Sequence, residues 1–182
     1  MTDRSTAPVH IVTLCTGNAA RSVMAGVMLA QLSDANGAAL EVTTAGTHAL
    51  EGQPMGMRTK AAIASLEVLD TSLLGRHRSH QLVTSDCHRA DLVIAMEADH
   101  VRYVRRIHPE ASAKTATIWH LAEHLVPSDL DVIQRIERLD LAAVTLEGAR
   151  DVRDPAGLDQ DEYDRCAQEI WSLTQVLFEG IS

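Results

Sequence analysis

The chain has 182 residues, about the size of one domain, and 46% of them are hydrophobic, enough for a packed core and too many for a disordered chain. Lys and Arg number 16 against 25 Asp and Glu, and the resulting formal charge of −9 excludes a surface built to coat nucleic acid. Aromatics at 3% exclude a stacking platform for single strands, so the core must be built from Ala, Val, Leu, Ile and Met.

Residues 1–8 are polar and read as a flexible N-terminus. Val9-His10-Ile11-Val12-Thr13-Leu14 is a short, β-branched apolar run, the mark of a buried strand and too short for a signal peptide. A small polar loop, 15–20, leads into an Ala-, Met- and Leu-rich helix over 22–32 that stops at Asn36-Gly37, a pair suited to a left-handed cap. A second strand is predicted at 40–45, a second helix at 57–66 and a third strand at 91–96. A charged amphipathic helix follows over 99–107, closed by Pro109, and then a fourth strand over 116–119.

Val132, Ile133, Ile136 and Leu139 predict a helix within 127–150. Asp159, with Glu162 three residues on, caps a last helix whose Tyr163, Cys166, Ile170, Leu173 and Leu177 share one face. This alternation predicts an α/β fold, a parallel sheet covered on both sides. No repeat or linker interrupts it, so 1–182 is read as one domain. No stretch reaches membrane-spanning length, and the chain reads as soluble, reduced and cytoplasmic. Cys15, Cys87 and Cys166 are too few and too scattered for a disulfide framework or a structural zinc site. Cys166 reads as core, and Cys87, in the polar stretch 85–89, as incidental.

The chemistry concentrates in Cys15-Thr16-Gly17-Asn18-Ala19-Ala20-Arg21-Ser22. A strand ends at the Cys and a helix begins near the Arg, which places the loop beyond the carboxyl end of a parallel strand, where open α/β sheets bind ligands. The amides of a tight loop converge on one point, and the helix N-terminus adds partial positive charge. Gly17 and Asn18 tolerate the positive φ of such a curl. Arg21 is a cation at a helix start, disfavoured there without an anion to bind, and its planar fork can clamp an oxyanion. Cys15 sits in the centre of this field, which favours its thiolate, a nucleophile aligned for in-line displacement at phosphorus. The leaving oxygen needs a proton. Asp154 can supply it from Arg153-Asp154-Pro155-Ala156-Gly157, a turn stiffened by Pro155 before the last helix.

These segments resemble the low-molecular-weight protein tyrosine phosphatases, whose pattern is Cys-x-Gly-Asn-x-x-Arg-Ser after the first strand and an Asp-Pro loop near the C-terminus. The resemblance extends to Thr44-Ala45-Gly46-Thr47, to His77-Arg78-Ser79-His80-Gln81-Leu82 and to residues 90–96. It implies a four-stranded parallel sheet with helices on both faces, in three α/β/α layers. It also implies hydrolysis of phosphotyrosine through a cysteinyl-phosphate intermediate. Cys15 would be the nucleophile, Arg21 the phosphate clamp, and Asp154 the acid and later the base. Thr16, Gly17, Asn18, Ala19, Ala20, Arg21 and Ser22 would cradle the phosphate, Ser22 hydrogen-bonding the thiolate. Asn18, Thr44 (where the family usually has Ser) and His77 would form the polar network that holds the loop. The substrate would be a phosphotyrosine-containing protein or a small aryl phosphate, with neither nucleic acid nor membrane as partner. No metal or other cofactor is called for, because Arg21 and the amides supply the charge stabilisation.

Departures from the family pattern shape the pocket. Ala20 stands where a second Cys is frequent, so Cys15 has no neighbouring disulfide partner. Val23 replaces a usual Pro and Gly26 a common Glu. Ala19, Leu50 and Ala156 form a rim with little surface to grip a phenyl ring. The 127–150 stretch is expanded. Two other readings share these residues. One is arsenate reduction with an external thiol, since Cys87 and Cys166 do not fall where thioredoxin-coupled relatives place theirs. The other is a phosphate or phosphopeptide binder without turnover, which would need neither Cys15 nor Asp154. His120-Leu121-Ala122-Glu123-His124 matches the inverted zinc-protease signature. It is discounted because Trp119 closes a strand, Pro127 leaves barely two turns, and coincidences are expected among 9 His. The run Arg102-Tyr103-Val104-Arg105-Arg106 reads as a solvated helix face.

Overall fold

The first apolar run forms β1 (Val9–Cys15), and the strands built on it define the architecture. The computed structural model describes residues 7–72 and 74–182, so most of the N-terminal stretch expected to be flexible, 1–6, lies outside the described residues. β2 (Leu40–Gly46) and β3 (Leu92–Ala95) flank β1, and β4 (Thr115–Thr117) pairs with β3, giving the order β2-β1-β3-β4 with every pair parallel. Register runs from Val9 opposite Leu40 to Cys15 opposite Gly46. The chain leaves β1 toward β2 and then crosses back over to β3, so the order reverses at the carboxyl end of β1, the usual position of a ligand crevice.

Alternation along the strands divides the core. Ile11, Leu92 and Ile94 point to one face, where they pack with α1 (Arg21–Asn36), α2 (Met57–Ala64), α5 (Ile118–His124) and the long α7 (Gln160–Ile181). Val12, Leu14 and Val93 point to the other face, under α3 (Thr84–Arg89) and α4 (Ala98–Ile107). Both faces of the sheet are therefore covered, as a parallel sheet requires. α1 ends at Gly37, in the left-handed conformation (φ 65°), and Asp159 caps α7 by accepting from the Glu162 amide at 3.1 Å, both as the sequence predicts. The helix expected within 127–150 is α6 (Val132–Arg138).

Three expectations need correction. Trp119 does not close a strand: β4 ends at Thr117, whose hydroxyl accepts from the His120 amide at 3.3 Å and starts α5. The argument from strand geometry against a helical His120–His124 pair therefore fails, and the two rings stack on one helix face with centroids 4.2 Å apart. Cys87 is not incidental, because it lies on the inward side of α3, fully buried in the second core cluster. No helix among the described residues is long and apolar enough to cross a membrane.

Candidate active site

The loop from Cys15 to Arg21 is shaped by its neighbours at the end of β2. The Thr47 amide donates to the Cys15 carbonyl and the His48 amide to the Thr16 carbonyl, both at 2.9 Å, so ladder bonding continues past the strands into the loop. Asn18 takes the left-handed conformation at φ 50°; Gly17, expected to share it, does not. The Asn18 side chain bridges the loop, its Oδ1 accepting from the His80 amide at 2.9 Å and its Nδ2 donating to Ser22 Oγ at 3.0 Å. His77 Nε2 donates to the Asn18 carbonyl at 3.0 Å; partial burial lowers its pKa and favours the neutral ring. Thr59 Oγ1 donates to the Ala19 carbonyl at 3.0 Å.

Cys15 Sγ lies 3.0 Å from Ser22 Oγ. That hydroxyl already accepts from Asn18, which leaves its own hydrogen to point at the sulfur. Thr44 is not brought into this network. Its hydroxyl makes no side-chain hydrogen bond among the described residues, and its methyl packs over Gly26 instead. Thr13, its register partner on β1, supplies the contact: Thr13 Oγ1 donates to the Ser22 carbonyl at 2.7 Å and fixes the start of α1.

Arg21 is 1% exposed. Its Nη1 donates to the Val152 carbonyl at 2.9 Å and to Glu97 Oε1, and its Nη2 donates to Asp154 Oδ2 at 2.7 Å. The Val152 amide in turn donates to the Met96 carbonyl at 2.9 Å, so the segment before α7 runs along the end of β3 and delivers Asp154 to the loop. Asp154 Oδ1 accepts from the Ala156 amide at 3.0 Å, and buried Pro155 anchors the turn, its carbonyl accepting from the Leu158 amide at 3.0 Å. Of the five guanidinium N–H groups, three are spent on these acceptors, and two remain for an oxyanion.

Sequence reasoning missed Glu97 and His100. Both follow β3 directly, and position beyond a strand's carboxyl end was the signal available for them. Glu97 balances the Arg21 charge. His100 Nδ1 accepts from the Glu97 amide at 3.1 Å, which places the proton on Nε2 to donate to Thr16 Oγ1 at 3.0 Å. Burial first, and the Arg21 charge second, push the His100 pKa down to about 4, so the ring is a neutral donor.

Ala19, Leu50 and Ala156 are exposed, Leu50 to 76%. Besides His100, the Thr16 side of the loop carries His48, whose amide bonds the Thr16 carbonyl and whose ring meets Tyr103 edge to face at 5.5 Å, a pair the sequence did not flag. The metal-ligating side chains that converge among the described residues are Cys87, His108 and Glu110, not the His120–His124 pair. Chemically, the loop carries a cysteine sulfur and a cationic fork, and the segment before α7 adds a carboxyl group, an arrangement that could serve displacement at an oxyanionic centre.

Residues 10–140 match the sequence profile of the family described as low molecular weight phosphotyrosine protein phosphatase. A low molecular weight protein-tyrosine-phosphatase of Streptomyces coelicolor is 36% identical over 124 residues, covering 65% of this chain and 73% of the relative. A protein-arginine-phosphatase of Geobacillus stearothermophilus is 32% identical over 111 residues, covering 61% and 70%. The solved structure of a low molecular weight protein tyrosine phosphatase from T. tengcongensis superposes with a TM-score of 0.75 at 28% identity, covering 94% of this chain and 98% of that one. The profile match takes in Cys15, Arg21 and Glu97 and ends before Asp154.

Proposed function

We propose that this chain, which belongs to the low molecular weight phosphotyrosine protein phosphatase family, hydrolyses phosphotyrosine in proteins with Cys15 as nucleophile, Arg21 as clamp and Asp154 as acid and base. Membership makes it a protein phosphatase; the substrate and the residue roles are our reading. The phosphoryl group sits in the loop against main-chain amides and the two free Arg21 N–H groups. Cys15 Sγ attacks phosphorus in line, and Asp154 passes a proton to the leaving phenolic oxygen. Asp154 then takes a proton from water as that water attacks the cysteinyl phosphate, releasing inorganic phosphate and the thiolate. Ser22 Oγ, 3.0 Å from the sulfur, stabilises the thiolate both before attack and as it leaves.

One observation carries the reading: the buried Arg21 guanidinium joins the Cys15 loop to Asp154 at 2.7 Å. Its test is turnover of para-nitrophenyl phosphate and of a phosphotyrosine peptide by wild type, Cys15→Ser and Asp154→Asn. Cys15→Ser is expected to lose turnover while still binding a phosphate analogue. Asp154→Asn should slow the peptide far more than the nitrophenyl ester, whose leaving group needs little protonation. Equal rates in all three proteins exclude the mechanism.

A second reading follows from the rim. Ala19, Leu50 and Ala156 offer no ring to stack on a phenyl group, and one relative is named an arginine phosphatase. Phosphoarginine is therefore the competitor to assay, and a kcat/KM higher for it than for phosphotyrosine would move the substrate assignment. Arsenate reduction through this chain's own thiols is disfavoured, because burial holds Cys87 and Cys166 protonated. We read 1–182 as one domain working in a reducing, cytoplasmic compartment, in keeping with three free thiols.

A further inference from the structure

Under α3 and α4, in the core cluster that does not contain Cys15, three ligating side chains converge from three elements. Cys87 comes from α3, His108 from the C-terminal end of α4, and Glu110 from the 3-10 turn Pro109–Lys114. One donor atom from each lies within 4.8 Å of the others. Cys87 is 0% and His108 5% exposed, while Glu110 reaches solvent.

His108 distinguishes this cluster from a chance grouping. Neither of its ring nitrogens has a hydrogen-bond partner, although the ring is buried against Tyr103. A buried imidazole without partners is costly unless something binds it. Its Nδ1 lies 3.8 Å from Glu110 Oε1, too far for a hydrogen bond. Zinc bonds of about 2.0–2.3 Å set tetrahedral donors roughly 3.5 Å apart. That separation is nearly in place, and side-chain rotation by about an ångström closes the rest. Asp86 and Lys114 also face the Cys87 thiol, but Asp86 is engaged by His80 at 2.8 Å and Lys114 by the Ala90 carbonyl.

We propose that Cys87, His108 and Glu110 bind one divalent transition-metal ion, zinc by the mixed sulfur, nitrogen and oxygen chemistry of the donors, with water on the solvent side completing the shell. The ion staples α3 to the end of α4. Forming the metal–sulfur bond breaks the Cys87 S–H bond and releases that proton to solvent.

The test is cobalt(II) titration of the full-length chain carrying Cys15→Ser, which removes the other candidate thiolate. A near-ultraviolet thiolate-to-cobalt band should saturate at one equivalent and vanish on adding zinc, and zinc binding should release one proton per ion in weak buffer. Adding Cys87→Ser should abolish the band, and adding Glu110→Gln, at an exposed position tolerant of change, should weaken affinity at least about tenfold. His124→Ala should leave the titration unchanged. The proposal is overturned if no band saturates at one equivalent, if the band survives Cys87→Ser, or if Glu110→Gln binds as tightly as its parent. Should Cys87→Ser fail to fold, Glu110→Gln decides.

Discussion

A β-carbon on Gly46 would lie 2.6 Å from the Thr16 carbonyl oxygen and 3.0 Å from the Asn18 nitrogen, both main-chain atoms of the loop from Cys15 to Arg21. Neither can rotate away, so Gly46→Ala must displace the loop itself. Misplacement of that order costs on the order of 100-fold in rate, and we expect a comparable drop in kcat/KM for para-nitrophenyl phosphate. Unchanged kinetics would show that the end of β2 does not hold the loop. Gly26 and Thr44 make a second case. The Thr44 methyl occupies the space of a residue-26 side chain, with Cγ2 2.4 Å from an added β-carbon. Gly26→Ala should destabilise by about 1–3 kcal/mol through overpacking, although Ala is the better helix former. Adding Thr44→Ser, which removes the methyl, should recover most of that loss in a denaturant-melt cycle, and additive effects would refute the pairing. Two departures from the family pattern, Thr for Ser and Gly for Glu, are thus one packing solution, readable only once β2 and α1 are seen in contact.

At the level of elements, strands and long helices were legible because their patterns are periodic and bounded: β1, α1 with its Gly37 cap, and α7 with its Asp159 cap fall where the sequence puts them. The short elements were not. Ala116 to Trp119 is an apolar run too brief to tell strand from helix, and the Thr117 hydroxyl turns its second half into α5. α3 has six residues and a single buried side chain, Cys87, so no period could reveal it. α4 carries a consequence for pH. His100 titrates near 6.5 when unfolded but only near 4 in the folded chain, chiefly because it is buried. Between those values the unfolded state holds a proton that the folded state refuses, so stability is full above about pH 6.5 and is lost as pH falls toward 4. The shift corresponds to a loss of order 3 kcal/mol. Denaturant melts across this range should show it in the wild type and a flatter profile in His100→Asn; parallel profiles would assign the acid sensitivity elsewhere.

Across the whole molecule, what could be read from the sequence depended on contiguity. The proposed phosphate cradle is eight consecutive residues, so Cys15 and Arg21 were visible as a unit, and Asp154 stood out through its turn chemistry. Glu97 and His100 stand close together beyond β3, but only the topology sets them against Arg21 and Thr16, and only the topology brings Cys87 to His108 and Glu110 some twenty residues on. The same topology sorts the three thiols. Cys166 packs in the core cluster that contains Cys15, where burial, more than its surrounding charges, pushes it up to about 12. Cys87, on the other sheet face, is held at about 11. At pH 7 those values leave thiolate fractions of roughly 10⁻⁵ and 10⁻⁴, too small for alkylation on the timescale of an activity assay. Iodoacetate should therefore modify Cys15 alone, in step with loss of turnover, and inorganic phosphate should protect it by filling the cup between Arg21 and the loop amides. Peptide mass analysis of partly inactivated protein decides the matter. Label on Cys166 at a comparable rate would mean that α7 opens to expose a second thiol beside the nucleophile, which would return arsenate reduction to contention.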